Sequence, residues 1–253
     1  MLNSINNKTF ALFDNPINKK LAAAVENSGA KLLKFPPIEA EKVVLNENST
    51  ELLKNLDRFD WIIFPDVLTV EFFLECLEEN QIDAFELDAI RVCALGESVS
   101  DRLRFGQLHA DLLPRRIDAE NVLSSLKNYA AGDEFADLSF LLIVENSFGS
   151  AIKDELIKAG AIVSELPIYR IKLTKKAEIG KLKALLKGGA IDEFIFSAPT
   201  DFISLKYIFK AEPLARIFSE IKVSAVDGAT LQIVREHHIK RADLFRLEKL
   251  DKV

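Results

Sequence analysis

The two halves of the chain repeat one pattern of residues, and this repeat constrains the fold more than any other feature. Gly29 is followed by Phe35-Pro36, and 131 residues further on Gly160 is followed by Leu166-Pro167. More blocks recur at a spacing of 131 or 132 residues: Phe13-Asp14-Asn15 with Val144-Glu145-Asn146, Asp60–Phe64 with Asp192–Phe196, Ala94–Ser98 with Val226–Thr230, and Ala110–Leu113 with Ala242–Phe245. Because solenoid repeats span only about 20–50 residues, this spacing predicts a duplicated domain.

Each copy alternates short apolar runs with amphipathic stretches, which indicates β-strands alternating with α-helices. In the first copy, Thr9–Phe13 and Lys31–Phe35 flank a helix that Pro16 opens and Gly29 closes. Strands that are apolar along their whole length are typical of parallel sheets with helices on both faces. The sequence therefore predicts an α/β protein with two doubly wound, flavodoxin-like parallel-sheet domains of about five strands each, produced by an internal duplication.

Composition limits the classes of function that the chain can have. The 253 residues carry 33 Lys and Arg against 39 Asp and Glu, and this acidic balance argues against nucleic acid as a partner. No apolar run approaches the ~20 residues of a membrane span, and the polar segment Met1–Phe10 does not resemble a signal peptide, so we expect a cytoplasmic protein. Cys76 and Cys93 form no CxxC motif and complete no metal site with the three histidines, so we expect reduced thiols and no metal.

Three loops that follow predicted strands combine small residues with hydroxyl groups. In open α/β sheets, ligands bind beyond the carboxyl ends of the strands. Ser197-Ala198-Pro199, Gly228-Ala229-Thr230 and Gly96-Glu97-Ser98 each lead into a predicted helix. The N-terminus of a helix, with its free N–H groups and a nearby hydroxyl, can bind an anion. The same residues are also common helix caps, and both interpretations stay open for each loop.

Other polar side chains near strand ends also allow a structural and a functional interpretation. Asp66 is a candidate helix cap or ligand contact, and Asp14 and Glu145 are solvated carboxylates or an acid–base pair. Tyr169 is either a half-buried packing residue or a functional phenol, and the pair His237-His238 is expected on the surface of a late helix. The sequence contains no GxGxxG, GxxxxGK[ST] or GxSxG motif, so it supports neither a phosphate loop nor an α/β-hydrolase.

The order and spacing of these motifs resemble the uroporphyrinogen-III synthase family over roughly Lys8 to Phe245. The resemblance is carried by Leu166-Pro167-Ile168-Tyr169, Phe196-Ser197-Ala198-Pro199 and Val226-Asp227-Gly228-Ala229-Thr230. It implies that residues 1–36 and 172–253 form one discontinuous domain and residues 37–171 the other. Two linker strands near 36–40 and 167–171 would join the domains, and both crossing points fall at matching positions of the repeat.

The resemblance also implies a reaction, the closure of the linear tetrapyrrole hydroxymethylbilane to uroporphyrinogen III. The last ring is inverted, water is lost, and neither cofactor nor metal takes part. The substrate is a small polycarboxylate, which helix N-termini can bind. By the same resemblance, Tyr169 assists the departure of hydroxide, and the remaining candidate site residues lie in substrate-binding loops: Ser197, Ala198, Pro199, Gly228, Thr230, Gly96, Ser98, Asp66 and Asn146.

Three loops depart from the family pattern. The family often has Arg where Asp14 stands, Thr-Ser where Pro65-Asp66 stands, and an Arg-rich or Gly-rich loop at Glu145-Asn146-Ser147. Added negative charge repels a polyanion, and Pro65 has no N–H to donate. Two alternatives to a synthase therefore stay open: a non-catalytic homologue that acts as a ligand-binding or regulatory module, and an unrelated two-domain α/β protein. No pattern demands an oligomer, so we expect a monomer.

Overall fold

The computed structural model of this protein describes residues 7–14, 18–36, 38–129, 135–136, 138–146, 151–173, 176–209, 212–239 and 241–246. The chain divides into two units, of which unit 1 comprises Met1–Ala40 with Ile171–Val253 and unit 2 comprises Glu41–Arg170. Within the described ranges, no helix is both long enough and apolar enough to cross a membrane.

The described strands and helices alternate along most of the chain. The strands are Thr9–Phe13 (β1), Lys31–Phe35 (β2), Ile38–Lys42 (β3), Trp61–Phe64 (β4), Arg91–Ala94 (β5), Ser139–Glu145 (β6), Ile162–Leu173 (β7), Glu193–Phe196 (β8), Lys222–Ala225 (β9) and Ala242–Leu244 (β10). The α-helices are Lys19–Asn27 (α1), Glu47–Lys54 (α2), Val67–Glu79 (α3), Glu97–Phe105 (α4), Ala119–Tyr129 (α5), Ala151–Lys158 (α6), Lys176–Lys187 (α7), Pro199–Ile208 (α8), Leu214–Ile217 (α9) and Gly228–Glu236 (α10).

Unit 1 contains a five-stranded sheet in the order β10-β9-β8-β1-β2. Each neighbouring pair of strands runs parallel. Phenyl rings fill much of the core, because strands β1 and β8 both contribute them. The rings of Phe13 and Phe194 lie 5.7 Å apart between centroids, and those of Phe196 and Phe202 lie 5.3 Å apart, both edge to face. These contacts pack α8 against the middle of the sheet.

Unit 2 contains a five-stranded sheet in the order β3-β7-β6-β4-β5. Strands β4, β5, β6 and β7 pair in parallel. Trp61 stacks on Phe140 at the centre of its core, with 6.4 Å between the ring centroids. Strands β3 and β7 both extend across the boundary between the units. The prediction of two doubly wound α/β sheets with parallel strands is thus confirmed.

The pairing register of the central strands differs by one residue from the alignment of the two sequence repeats. Trp61 of β4 lies opposite Phe140, and its counterpart Glu193 of β8 lies opposite Phe10. Phe10 and Phe140 are 130 residues apart, one fewer than the sequence blocks implied. Both strands are apolar throughout, so a slip of one residue leaves the sequence pattern unchanged. The alignment matched Asp14 with Glu145 at the strand ends, and by this register the two carboxylates are not equivalent.

A similar slip affects the strands that follow. Phe64 lies opposite Ala94, whereas Phe196 lies opposite Ala225. Ala94 and Ala225 are 131 residues apart, while the sequence blocks had matched Ala94 with Val226 at 132. The helices confirm the shorter spacing, because α4 is preceded by Gly96 and α10 by Asp227. The match between Gly96-Glu97-Ser98 and Gly228-Ala229-Thr230 is therefore also wrong by one residue.

Candidate functional sites at the carboxyl ends of the strands

The order of strands in each unit indicates where a ligand would bind. The chain changes direction between β1 and β8 in unit 1 and between β6 and β4 in unit 2. In doubly wound sheets, ligands bind beyond the carboxyl ends of the strands at such a switch point. The residues that follow these four strands are therefore the first candidates within each unit.

A buried chain of hydrogen bonds connects the two loops at the switch point of unit 1. Asn18 Nδ2 donates to the carbonyl of Phe13 over 2.7 Å and to Ser197 Oγ over 2.9 Å. Ser197 Oγ donates in turn to Asp201 Oδ2 over 2.5 Å, and Ser197 N donates to the same oxygen over 3.1 Å. Asn18, Ser197 and Asp201 are all buried. The hydroxyl proton of Ser197 is thus committed to an internal carboxylate.

Sequence analysis singled out Ser197 but missed both of its partners. Asn18 directly precedes α1, and Asp201 lies in the first turn of α8. A carboxylate in the first turn of a helix is stabilised by the helix dipole. The positions of Asn18 and Asp201 at helix starts were visible in the sequence, but both residues are more often simple caps there.

The start of α8 offers an incoming anion few donors. Ala198 precedes the helix without a side-chain cap, and Pro199 occupies its first turn. Proline has no N–H, and the N–H of Ser197 already donates to Asp201. The carboxylate of Asp201 therefore accepts from an N–H that the sequence had suggested for an external anion.

The start of α10, in contrast to that of α8, has a side-chain cap. Asp227 accepts a hydrogen bond from Thr230 N over 2.7 Å. Thr230 is fully buried, and its Oγ1 has no hydrogen-bond partner among the described residues. A Cβ added at Gly228 would meet no heavy atom within 4 Å, so the backbone of Gly228 stands beside open space. Gly228 is thus accessible to a ligand, while the Thr230 hydroxyl is enclosed.

The start of α4, like that of α8, has no side-chain cap. Gly96 precedes this helix with φ 123°, a conformation that favours glycine. Glu97 follows as an acidic residue in the first turn, and Ser98 is partly exposed. Unlike α8, this helix has no proline in its first turn, so its first N–H groups are a candidate anion site.

At the switch point of unit 2, a carboxylate connects a helix start to a strand. Asp66 Oδ1 accepts from Thr69 N over 2.9 Å, and Asp66 N donates to Thr69 Oγ1 over 3.3 Å, which closes a capping box at α3. Tyr169 Oη donates to Asp66 Oδ2 over 3.0 Å. The tyrosine ring also stacks on Phe72, with 5.5 Å between centroids and 15° between planes. Asp66 is therefore both a helix cap and the acceptor for a phenol.

A bulge in the pairing of β6 with β7 sets the position of Tyr169. Val144 pairs with Pro167, but Glu145 pairs with Tyr169, so one residue of β7 is skipped. Bulges re-aim side chains and are frequent near functional sites. Asn146 N donates to the carbonyl of Tyr169 over 2.7 Å, while the Asn146 residue itself is exposed. Tyr169 is fully buried, whereas one of the two interpretations of the sequence placed it half-buried.

His237 is half-buried, whereas the sequence predicted that both adjacent histidines lie on the surface. Its Nδ1 lies 3.0 Å from the carbonyl of Ile233, and its ring meets Phe202 edge to face at 5.0 Å. Its Nε2 is buried without a hydrogen-bond partner among the described residues. Burial disfavours the charged imidazole and lowers the pKa of His237 to about 3. His238 is exposed as expected.

Both cysteines are free and buried in unit 2. Burial raises the pKa of the Cys76 thiol to about 11 and that of Cys93 to about 12. A thiol reacts as its thiolate, so neither residue is a candidate nucleophile. The described residues also contain no group of three or more His, Cys, Asp or Glu side chains that could hold a metal ion.

Comparison with known proteins assigns the chain to a family. The family model described as uroporphyrinogen-III synthase HemD matches residues 19–247. The chain belongs to the uroporphyrinogen-III synthase family. A provisionally named uroporphyrinogen-III synthase of Methanocaldococcus jannaschii is 26% identical over 225 residues, which are 87% of this chain and 85% of that protein. The resemblance found in the sequence motifs is thereby confirmed.

Solved structures of uroporphyrinogen III synthases share the fold. The Thermus thermophilus enzyme has a TM-score of 0.66 and 20% sequence identity, and the match covers 97% of both chains. A second crystal form of the wild-type enzyme from the same species gives the same TM-score and identity over 96% of this chain and 95% of the other. Identity this low shows the fold alone, so the roles of individual residues are argued from the geometry of this family member.

Proposed function

We propose that this chain is a uroporphyrinogen-III synthase, which closes hydroxymethylbilane to uroporphyrinogen III with inversion of ring D and loss of water in heme biosynthesis. The single observation that carries the proposal is the family match over residues 19–247. The reaction needs neither cofactor nor metal. A non-catalytic homologue is the competing outcome that the experiment below can return.

The proposed chemistry is mainly control of orientation. Uncatalysed closure of the linear chain gives the uninverted isomer, so the enzyme must direct attack to the substituted carbon of the last ring, through a spiro intermediate. Holding the two reacting ends together lowers the entropic barrier, and charged or polar groups assist the departure of hydroxide. We assign this assistance to Tyr169, whose hydroxyl lies at the switch point of unit 2.

The internal carboxylates change which part of the substrate these loops can recognise. Asp66 and Asp227 cap α3 and α10, and Asp201 lies in the first turn of α8. Carboxylates accept hydrogen bonds and repel anions. We therefore propose that these loops favour the pyrrole N–H donors of the substrate, and that its carboxylates bind beside donors without an internal anion.

The predicted substrate-binding residues divide by accessibility and by the donors that they can offer, since Ala198 and Pro199 are partly exposed but have no polar side chain. Gly228 stands beside open space, Ser98 is partly exposed and Asn146 is exposed, so we propose that these three contact substrate directly. The others are proposed to shape the loops that carry those contacts: Ser197, Ala198, Pro199, Thr230, Gly96 and Asp66.

We also propose that the protein is a cytoplasmic monomer that binds neither nucleic acid nor membrane. Two free cysteines suit a reducing compartment. The two units are proposed to be the domains of an internal duplication, a view supported by the parallel order of their strands and helices. Light scattering after size-exclusion chromatography would measure the mass in solution against 28.4 kDa for one chain.

Product analysis tests the proposed activity. Hydroxymethylbilane is generated in situ, the protein is added, the products are oxidised, and the type I and type III isomers are separated by chromatography. We expect predominantly type III, because the uncatalysed reaction yields type I. A reaction without the protein is the control. Type I alone from folded protein would instead support a non-catalytic homologue, and the search would turn to what the loops bind.

A further inference from the structure

Asn18 stands at a helix start but does not cap it. It directly precedes α1, where an asparagine side chain normally accepts a hydrogen bond from the first turn, and no such bond is found in the described part of this helix. The side chain is instead turned inward, and only 2% of the residue is exposed. A residue that gives up its local bond and is buried points to a partner elsewhere in the fold.

That partner is the loop which follows β8. The amide nitrogen of Asn18 donates to the carbonyl of Phe13 over 2.7 Å and to Ser197 Oγ over 2.9 Å. A carbonyl oxygen can only accept, so it fixes which side of the Asn18 amide faces the end of β1, and it uses one of the two amide protons. The second proton therefore reaches the other loop at the switch point of unit 1, 179 positions further along the chain.

The hydrogen bond from Asn18 also decides where the donors of Ser197 point. Because Ser197 Oγ accepts from Asn18, its own proton goes to Asp201 Oδ2, 2.5 Å away. Ser197 N donates to the same carboxylate oxygen over 3.1 Å. Both donors of Ser197 thus face inward, and the residue is buried. The neighbouring Ala198 and Pro199 are partly exposed, so these two residues form the surface of the loop.

We infer that Asn18 is a positioning residue: acting through Ser197, it holds the loop Ser197-Ala198-Pro199 in the shape that receives the substrate, and Ser197 itself donates no hydrogen bond to the substrate. This inference rests on the proposed function. A loop that is fixed before binding does not have to be ordered by the ligand, which increases affinity without any new contact. Ground state and transition state benefit alike, so the effect belongs to KM and not to kcat.

Asn18→Ala and Asn18→Asp remove the two donated hydrogen bonds in different ways. Alanine deletes the amide, whereas aspartate keeps the shape of the side chain but, as a carboxylate, has no proton to donate. We expect KM for hydroxymethylbilane to rise about 5- to 20-fold in both variants, with kcat for type III product within about twofold of the wild type. A rise in the isosteric Asn18→Asp variant would show that the donors matter and not the packing volume.

Ser197→Ala separates the two possible roles of the serine hydroxyl. It removes the acceptor of Asn18, so we expect a similar rise in KM. The double variant of Asn18→Ala and Ser197→Ala should be no worse than the poorer single variant, because both changes remove one interaction. A hydroxyl that contacted the substrate itself would behave differently, since its loss would multiply the loss from Asn18→Ala and would also lower kcat.

Ser224→Ala is the matched control, because it removes a buried hydrogen bond at the other end of β8. Ser224 Oγ donates to Glu193, the first residue of that strand, and both residues are buried. We expect a lower melting temperature, as in Asn18→Ala, but an unchanged KM. Hydrogen exchange adds a readout that needs no substrate: the amide of Ser197 should exchange faster in Asn18→Ala and at the wild-type rate in Ser224→Ala.

The outcomes distinguish this inference from the proposed function. Where Asn18→Ala does not fold, Asn18→Ser suits a helix start but has a side chain one bond too short for Ser197, and it should show the same rise in KM. An unchanged KM in a folded Asn18 variant, or an unchanged rate of exchange at Ser197, would overturn the inference and leave the proposed function intact. Losses that multiply in the double variant would also overturn it. Type I product alone from the unmodified protein would overturn both proposals, before any variant is made.

Discussion

The helix starts that follow β4 and β8 occupy equivalent positions in the two units, yet they place their carboxylates differently. In unit 2, Asp66 precedes α3 and Thr69 lies in its first turn, whereas in unit 1 Ala198 precedes α8 and Asp201 lies in its first turn. Each unit therefore puts one carboxylate where the helix dipole stabilises it. The comparison shows that both units place a carboxylate at this helix start, and that the residue which donates a hydrogen bond to the carboxylate differs between the units.

The partners come from different parts of each sheet. Asp66 accepts from Tyr169, which lies on the strand β7. Asp201 accepts from Ser197, which in turn accepts from Asn18 in the segment between β1 and α1. Unit 1 thus connects the loops of its two central strands, while unit 2 connects a central loop to the neighbouring strand. Asp66 accepts from the phenol of Tyr169, whereas Asp201 accepts from the hydroxyl of Ser197. We therefore assign the reactive phenol to unit 2.

The largest effect on stability should come from removing the carboxylate of unit 1. Asp201 is fully buried and accepts from both N and Oγ of Ser197, so Asp201→Ala leaves buried donors without an acceptor. We expect a loss of about 3–4 kcal/mol in the free energy of unfolding, measured by urea titration. Asp66→Ala is the matched variant in unit 2 and should cost about 2 kcal/mol, for one cap and one phenol. Equal losses would show that the two networks are energetically equivalent.

Acid should destabilise the protein through His237, a histidine of unit 1 whose Nε2 atom is buried. The pKa of His237 is lowered from 6.5 to about 3 in the folded protein. Between these values the unfolded chain binds more protons, so stability is complete above pH 6.5 and decreases as pH falls toward 3. We expect this group to contribute roughly 3 kcal/mol to the loss across most of that window.

Urea titrations at several pH values would measure this dependence. His237→Gln, which cannot titrate, should flatten the curve over the same window. The exposed His238 offers a control, because His238→Gln should leave the curve as it is in the wild type. An equal response of the two variants would contradict a special role for His237.

The smallest effect should come from supplying the missing cap in unit 1. Ala198 makes no side-chain hydrogen bond at the start of α8. Ala198→Ser adds an oxygen that can accept from the N–H of the first turn, so we expect about 0.5–1 kcal/mol of stabilisation in thermal unfolding. No gain would mean that Asp201 already satisfies this helix start.

Much of the fold was predictable because it depends on local patterns. Apolar runs separated by amphipathic stretches determine parallel strands and helices whatever their partners are. The motifs around Tyr169, Ser197 and Gly228 were enough to indicate the family, which the family model confirms. The prediction was wrong by one residue in the register of the repeat, because apolar strands such as Phe10–Phe13 and Phe140–Ile143 look the same after a slip.

By itself, the sequence determined the two α/β sheets, the family and the strand ends where polar side chains gather. Tertiary structure alone decided which of those side chains meet. Tyr169 and Asp66 are 103 positions apart in the chain, and Asn18 and Ser197 are 179 apart, so no local pattern could pair them. The burial of the His237 Nε2 atom was decided in the same way, by the packing of the His237 ring against Phe202. Hydrophobic periodicity is a property of each segment, whereas hydrogen-bond partners and burial depend on which segments pack together.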